Sequence, residues 1–189
     1  MVLEFTFTKL CERGDLKACK THYAKNPWLN ISAGNEDAFR EACTEGHLNV
    51  AKWLLEIKPD ININISIGNE EAFRMACGNG HLNVAKWLLE IKPDINISIR
   101  NEEAFRWACW YGRLHVAKWL LEIKPDINIS TGNEDAFRMA CWYGRLHVAK
   151  WLLEIKPDIN ISTGNEDAFR MACWYGRLHV AKWLLEIKP

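Results

Sequence analysis

Apolar positions return at helical spacing in a block that recurs along the whole chain. In the block that opens at Asn35, residues Ala38, Phe39, Ala42 and Cys43 fall one turn apart and predict an amphipathic first helix. Asn35 followed by Glu36 and Asp37 reads as its capped, acidic start, with Glu36 and Arg40 as an i, i+4 pair on the outer side. Gly46 supplies a left-handed residue that ends it. From about His47 to Ile57 the pattern is apolar nearly all round, leaving only Asn49, Lys52 and Glu56 as a polar stripe, so a second helix is expected with most of its surface covered. Pro59 forbids continuation. The alternation Asp60, Ile61, Asn62, Ile63 then predicts a short extended finger leading to the next block.

The blocks form an array. Phe39, Phe73, Phe105, Phe137 and Phe169 are spaced by 34, 32, 32 and 32 residues, and Thr131–Pro157 is repeated letter for letter as Thr163–Pro189. A period of this size predicts an all-α solenoid of stacked helix-turn-helix units joined by short extended fingers, each unit burying its apolar side only against its neighbours. The expected organisation is one domain over 1–189, with units 1–32, 33–66, 67–98, 99–130, 131–162 and 163–189. The first is a cap. Its Gly14 and Pro27 align with Gly46 and Pro59, yet Thr21 and His22 stand where the second unit has Trp53 and Leu54. Polar replacement on an outer face avoids exposing apolar area, at about 25 cal/mol per Å². The last unit shows no such adaptation, so we expect a fragment, a designed truncation, or an end that stacks on something, including end-to-end self-association.

Charge changes the picture little. Lysine plus arginine and aspartate plus glutamate balance at 24 each, so no net field draws the chain toward nucleic acid or an anionic membrane. Apolar runs are broken by lysine well short of the roughly 20 residues a membrane span needs, and the start lacks a basic segment followed by an apolar one, so secretion is not indicated. Cys11, Cys43, Cys77, Cys109, Cys141 and Cys173 share one repeat position, with Cys19 extra. Stacked equivalents lie about 8–10 Å apart, beyond the roughly 7 Å between Cα atoms that a disulfide tolerates. They read as small buried apolar residues in a reducing, cytoplasmic compartment.

The run Gly46, His47, Leu48, Asn49, Val50, Ala51, Lys52, Trp53, Leu54, Leu55, followed by Pro59, Asp60, Ile61 and Asn62, resembles the second half of an ankyrin repeat. Where that family has T-P-L-H-x-A, this chain has Asp37, Ala38, Phe39, Arg40, Glu41, Ala42, and the first half is divergent. The phrasing N-E-D-A-F-R, V-A-K-W-L-L-E-I-K-P and D-I-N-I-S is similar to arrays encoded by giant DNA viruses of amoebae, which implies a viral protein in host cytoplasm; the identical units also fit a consensus or reconstructed array with no natural partner. The resemblance implies a non-catalytic scaffold, without cofactor or metal, that binds another protein on its concave face.

That face would carry the positions that vary between units. Glu41 becomes Met75, Trp107, Met139 and Met171, while Thr44 and Glu45 become Gly78 and Asn79, then Trp110 and Tyr111, Trp142 and Tyr143, Trp174 and Tyr175, each pair followed by Arg113, Arg145 or Arg177. Aromatic and arginine side chains dominate protein-binding hot spots, so these ten residues, Trp107 with the three Trp-Tyr-Arg sets, are the candidate partner-binding site. The competing reading is that the rings pack between units, each tryptophan against its neighbour's tyrosine. Single-stranded nucleic acid is the alternative ligand for such a ladder, opposed by the zero net charge. Cys43 with His47 and Cys77 with His81 are separated by a whole unit and do not suggest four ligands converging on a metal. Trp53, Trp87, Trp119, Trp151 and Trp183 sit in the apolar second helix and read as core. Glu36, Glu70, Glu102, Glu134 and Glu166 read as helix-start residues.

Overall fold

The computed structural model describes residues 2–59 and 67–188, and of residues 67–69 the backbone alone. The finger expected at Asp60–Ile63 lies outside the described residues. The chain forms two compact units, Met1–Asn96 and Ile97–Pro189. The first holds α1 (Val2–Glu12), α2 (Leu16–Lys25), α3 (Ala33–Thr44), α4 (Leu48–Ile57), α5 (Ile67–Asn79) and α6 (Leu82–Ile91). The second holds α7 (Ile99–Trp110), α8 (Leu114–Ile123), α9 (Thr131–Trp142), α10 (Leu146–Ile155), α11 (Thr163–Trp174) and α12 (Leu178–Ile187). No strand occurs among the described residues: the connection after α6 runs as a turn at Pro93–Asp94, an irregular pair with Ile95 buried, and a second turn at Ile97–Ser98.

In each unit consecutive helices pair as antiparallel hairpins, and the first helices lie side by side, α1 on α3 on α5 and α7 on α9 on α11. The core is the stripe legible in the sequence. Phe7, Phe39, Phe73, Phe105 and Phe137 are fully buried, with Leu54, Leu88, Leu120 and Leu152 from the second helices. Within each unit, first-helix phenylalanines are met by the tryptophan of the next hairpin's second helix: Phe7 by Trp53 at 6.2 Å and Phe39 by Trp87 at 6.1 Å in the first, Phe105 by Trp151 and Phe137 by Trp183 at 6.3 Å in the second. These tilted and edge contacts add about 0.5–1.5 kcal/mol each beyond area burial, and they explain why a bulky ring recurs at a single phase.

The start of the first helices departs from the sequence expectation. Gly34, Asn35 and Glu36 all have positive φ, and the same left-handed turn recurs at Arg100–Glu102, Gly132–Glu134 and Gly164–Glu166. Asn35 is therefore not a simple helix cap: it lies inside a left-handed turn, and the right-handed helix begins after Glu36. Glu36 is instead buried at 4% exposure. Ser32 Oγ donates to its Oε2 at 2.7 Å, and Lys58 Nζ approaches its Oε1 at 3.9 Å while donating to Ser32 Oγ. Successive left-handed non-glycine residues cost roughly 1–2 kcal/mol each, and this charged, hydrogen-bonded clamp across the turn offsets that cost. Arg40 is not the partner of Glu36 either: its guanidinium binds Asp37 and reaches across to Glu71 of the next hairpin.

Candidate functional site

The ten predicted residues all fall in the second unit, on its first helices and the turns that follow. Trp107 is half-buried on α7, one turn before Trp110. Trp142 is the last residue of α9 and Tyr143 its C-terminal cap. Gly144 follows at φ 74, and the turn closes through Gly144 N–H to the Cys141 carbonyl at 3.1 Å and Arg145 N–H to the Ala140 carbonyl at 2.7 Å. This 6→1 and 5→2 pattern is the glycine-ended helix stop. It throws the two aromatic rings outward on one side of the hairpin and starts α10 with Arg145.

The rings interleave. Trp110 stacks on Tyr111 at 5.5 Å and meets Tyr143 of the next hairpin at 5.2 Å. Trp142 meets Tyr143 at 5.8 Å and Tyr175 of the following hairpin at 5.5 Å. One continuous row results, Tyr111, Trp110, Tyr143, Trp142, Tyr175, with centroid spacings inside the favourable range for aromatic pairs. The indole N–H groups of Trp110 and Trp142 are shielded and meet no acceptor among the described residues, so ring packing rather than hydrogen bonding sets their orientation. Trp110, Trp142 and Tyr143 are half-buried, Tyr111 and Tyr175 are exposed, and Trp174 is 82% exposed.

The arginines divide. Arg113 is exposed, whereas Arg145 and Arg177 are half-buried and lay their stems across the preceding turn. A Cβ on Gly112 would stand 2.8 Å from Arg145 Cδ, and one on Gly144 2.9 Å from Arg177 Cδ. Arg177 Nε also donates to the Trp142 carbonyl at 3.4 Å. Two of the three predicted arginines thus tie one hairpin to the next. In the first unit histidine fills the same slot: His47 lies over Gly14 and its Nε2 is 2.9 Å from the Glu12 carbonyl, and His81 lies over Gly46.

The thiols are free, and all are buried except Cys173. Burial pushes the Cys43, Cys77, Cys109 and Cys141 thiols far up from their ordinary range, which keeps them neutral and unreactive. Cys11 and Cys19 face each other at 3.7 Å. Among the described residues no group of three or more His, Cys, Asp and Glu side chains could hold a metal ion, and no helix is long and apolar enough to cross a membrane.

A groove in the first unit was not anticipated. It encloses about 620 Å³ between α1 and α3, lined by Glu4, Phe5, Lys9 and Glu12 from one and Asp37 and Glu41 from the other. Burial, and then the nearby Glu12 charge, hold the Glu41 carboxyl above its usual range.

Stacked helical hairpins with glycine-ended first helices and a tip presented by each turn define a solenoid-like repeat fold of the ankyrin class. The family description "Ankyrin repeats (3 copies)" matches residues 39–132 and 105–189; the chain belongs to the ankyrin-repeat family. No curated protein matches it significantly. Among solved structures it is similar to a chain of the Bd0816 predatory endopeptidase from Bdellovibrio bacteriovorus in complex with immunity protein Bd3460, with TM-score 0.65, 24% identity, and 96% of this chain and 97% of that one covered. It is also similar to the human ASB11 ankyrin repeat domain, with TM-score 0.65, 22% identity, and 97% and 83% covered. A Legionella pneumophila ankyrin repeat family protein matches with TM-score 0.51 and 22% identity over 95% of this chain and 69% of that one. At these identities the likeness shows the fold alone.

Proposed function

We propose that this ankyrin-repeat chain is a non-catalytic scaffold that binds another protein along the first-helix and turn side of its second unit, the side the family resemblance implies to be concave. The observation that carries this reading is the Trp-Tyr row, one edge of which is packed between hairpins while Tyr111, Tyr175 and Trp174 remain open. Rigid, half-buried rings bind at low entropic cost, because few rotamers remain to be frozen. Trp107 extends the patch along α7, and Arg113 offers an exposed guanidinium at its edge. Arg145 and Arg177 act as positioning residues. Seven free thiols, none in a disulfide, fit work in a reducing cytoplasm, that of a host cell for a chain of viral type.

The test is quantitative capture from a candidate host lysate by the native chain and by the Trp142→Ala, Trp174→Ala double variant. A partner of this face should bind the variant at least about 30-fold more weakly, the equivalent of roughly 2 kcal/mol, with helical content unchanged. Equal capture would remove the aromatic row from the interface. A labelled single strand bound with steep salt dependence would instead favour nucleic acid.

A further inference from the structure

Only the hairpin α1–α2 sets two sulfurs together. At the position of Cys11 every hairpin carries cysteine, and eight residues further on the other five carry alanine: Ala51, Ala85, Ala117, Ala149 and Ala181. All five alanines are buried. In α1–α2 that position is Cys19, whose sulfur lies 3.7 Å from that of Cys11, and both residues are fully buried. Partner binding by the aromatic row makes no use of this pair. A disulfide brings its sulfurs to about 2.05 Å, so the gap to close is short and lies between helices that already pack together. The Cys11 S–H donates to the Cys19 sulfur and holds the Cys19 thiol below its ordinary range, against burial and the Asp15 charge, while the same bond and then burial push Cys11 up. Cys43, Cys77, Cys109 and Cys141 have no such neighbour, and burial alone moves them the other way.

We propose that Cys11 and Cys19 are a reversible redox site, oxidised by a small peroxide to a disulfide that staples α1 to α2. The thiolate is the reactive form, which makes Cys19 the attacking sulfur. It takes one peroxide oxygen as the O–O bond breaks, becoming a sulfenic acid, and the departing hydroxide picks up a proton to leave as water. Cys11 then loses its proton and attacks the Cys19 sulfur; the S–S bond forms, the S–O bond breaks and a second water leaves. Two thiols are oxidised and one peroxide is reduced to two waters. Because both sulfurs are covered, bulky disulfides are shut out and even a small oxidant waits on local opening of the hairpin. The closed loop spans only Cys11 to Cys19 across the Gly14 turn. Since α1 also sets Phe7 against Trp53 and packs on α3, the staple firms the start of the first unit.

Hydrogen peroxide tests this on the full chain, in a Cys173→Ser background that removes the exposed thiol. Arg13 and Lys17 place the two cysteines on separate tryptic peptides, so mass spectrometry after alkylation in denaturant reads the link directly. The Cys11–Cys19 link should exceed any other cysteine pair at least about tenfold, Cys43, Cys77, Cys109 and Cys141 should remain alkylatable, and dithiothreitol should restore both thiols. A pair that stays unlinked, oxidation spread evenly over the buried cysteines, or Cys19 passing to a sulfinic acid without linking would overturn the proposal. Linkage should also raise the melting temperature by roughly 5 °C. Cys19→Ala, which carries the residue of the other five hairpins, should melt at the same temperature with and without peroxide. A native chain whose melting does not respond to linkage, or an equal rise in Cys19→Ala, would overturn the staple.

Discussion

Thr131–Pro157 and Thr163–Pro189 are one sequence in two environments. In the first copy Phe137 is 1% exposed, Cys141 is buried, Trp142 is half-buried and Arg138 has a carboxylate on each side, Asp135 and Asp167. In the second copy Phe169 is half-buried, and Cys173 and Trp174 are open. Helix limits, left-handed turn and glycine stop are the same in both. Local sequence therefore sets the hairpin, and the neighbour sets its burial. In such an array stability accumulates as intrinsic terms plus nearest-neighbour interfaces, and the pair of copies separates the two.

The difference should be measurable residue by residue. Phe137→Ala removes a fully packed ring and should destabilise by about 3–5 kcal/mol, whereas Phe169→Ala, at a half-open site, should lose about half as much. Urea unfolding of the two variants gives the comparison directly; equal losses would mean the last hairpin is covered after all. A smaller contrast belongs to the arginines. Arg138 bridges partly buried carboxylates and its replacement by glutamine should cost about 0.5–1 kcal/mol, while Arg170→Gln should change stability by less than about 0.3 kcal/mol. The Arg138 loss should shrink in high salt and the Arg170 value should not move.

Much of this fold is legible from the sequence because period, apolar spacing and the Gly-Pro punctuation are local signals. The phenylalanine stripe, the glycine stops and the buried cysteines follow from them. The left-handed entry turn does not. Asn followed by two acidic residues is what a capped helix start looks like, and the Ser32 and Lys58 groups that close on Glu36 and support three successive residues of positive φ lie outside that motif. The candidate site was half legible. That aromatic pairs gather at the ends of the first helices can be read by comparing units, and the fit of a tryptophan against the next tyrosine follows from hairpin spacing, but how far each ring is buried cannot be read that way. That Arg145 and Arg177 would lie across a glycine of the preceding turn depends on how closely two backbones approach, which no pattern of residue types encodes.

Cys141 and Cys173 occupy the same place in identical hairpins and report coverage without any substitution. Alkylation of the native chain, followed by mass spectrometry of each cysteine peptide, should show Cys173 modified promptly and Cys141 at least about a hundredfold more slowly, because its thiol must wait for local opening of the stack. Similar rates at the two sulfurs would contradict the account, since burial would then not be conferred by the neighbouring hairpin.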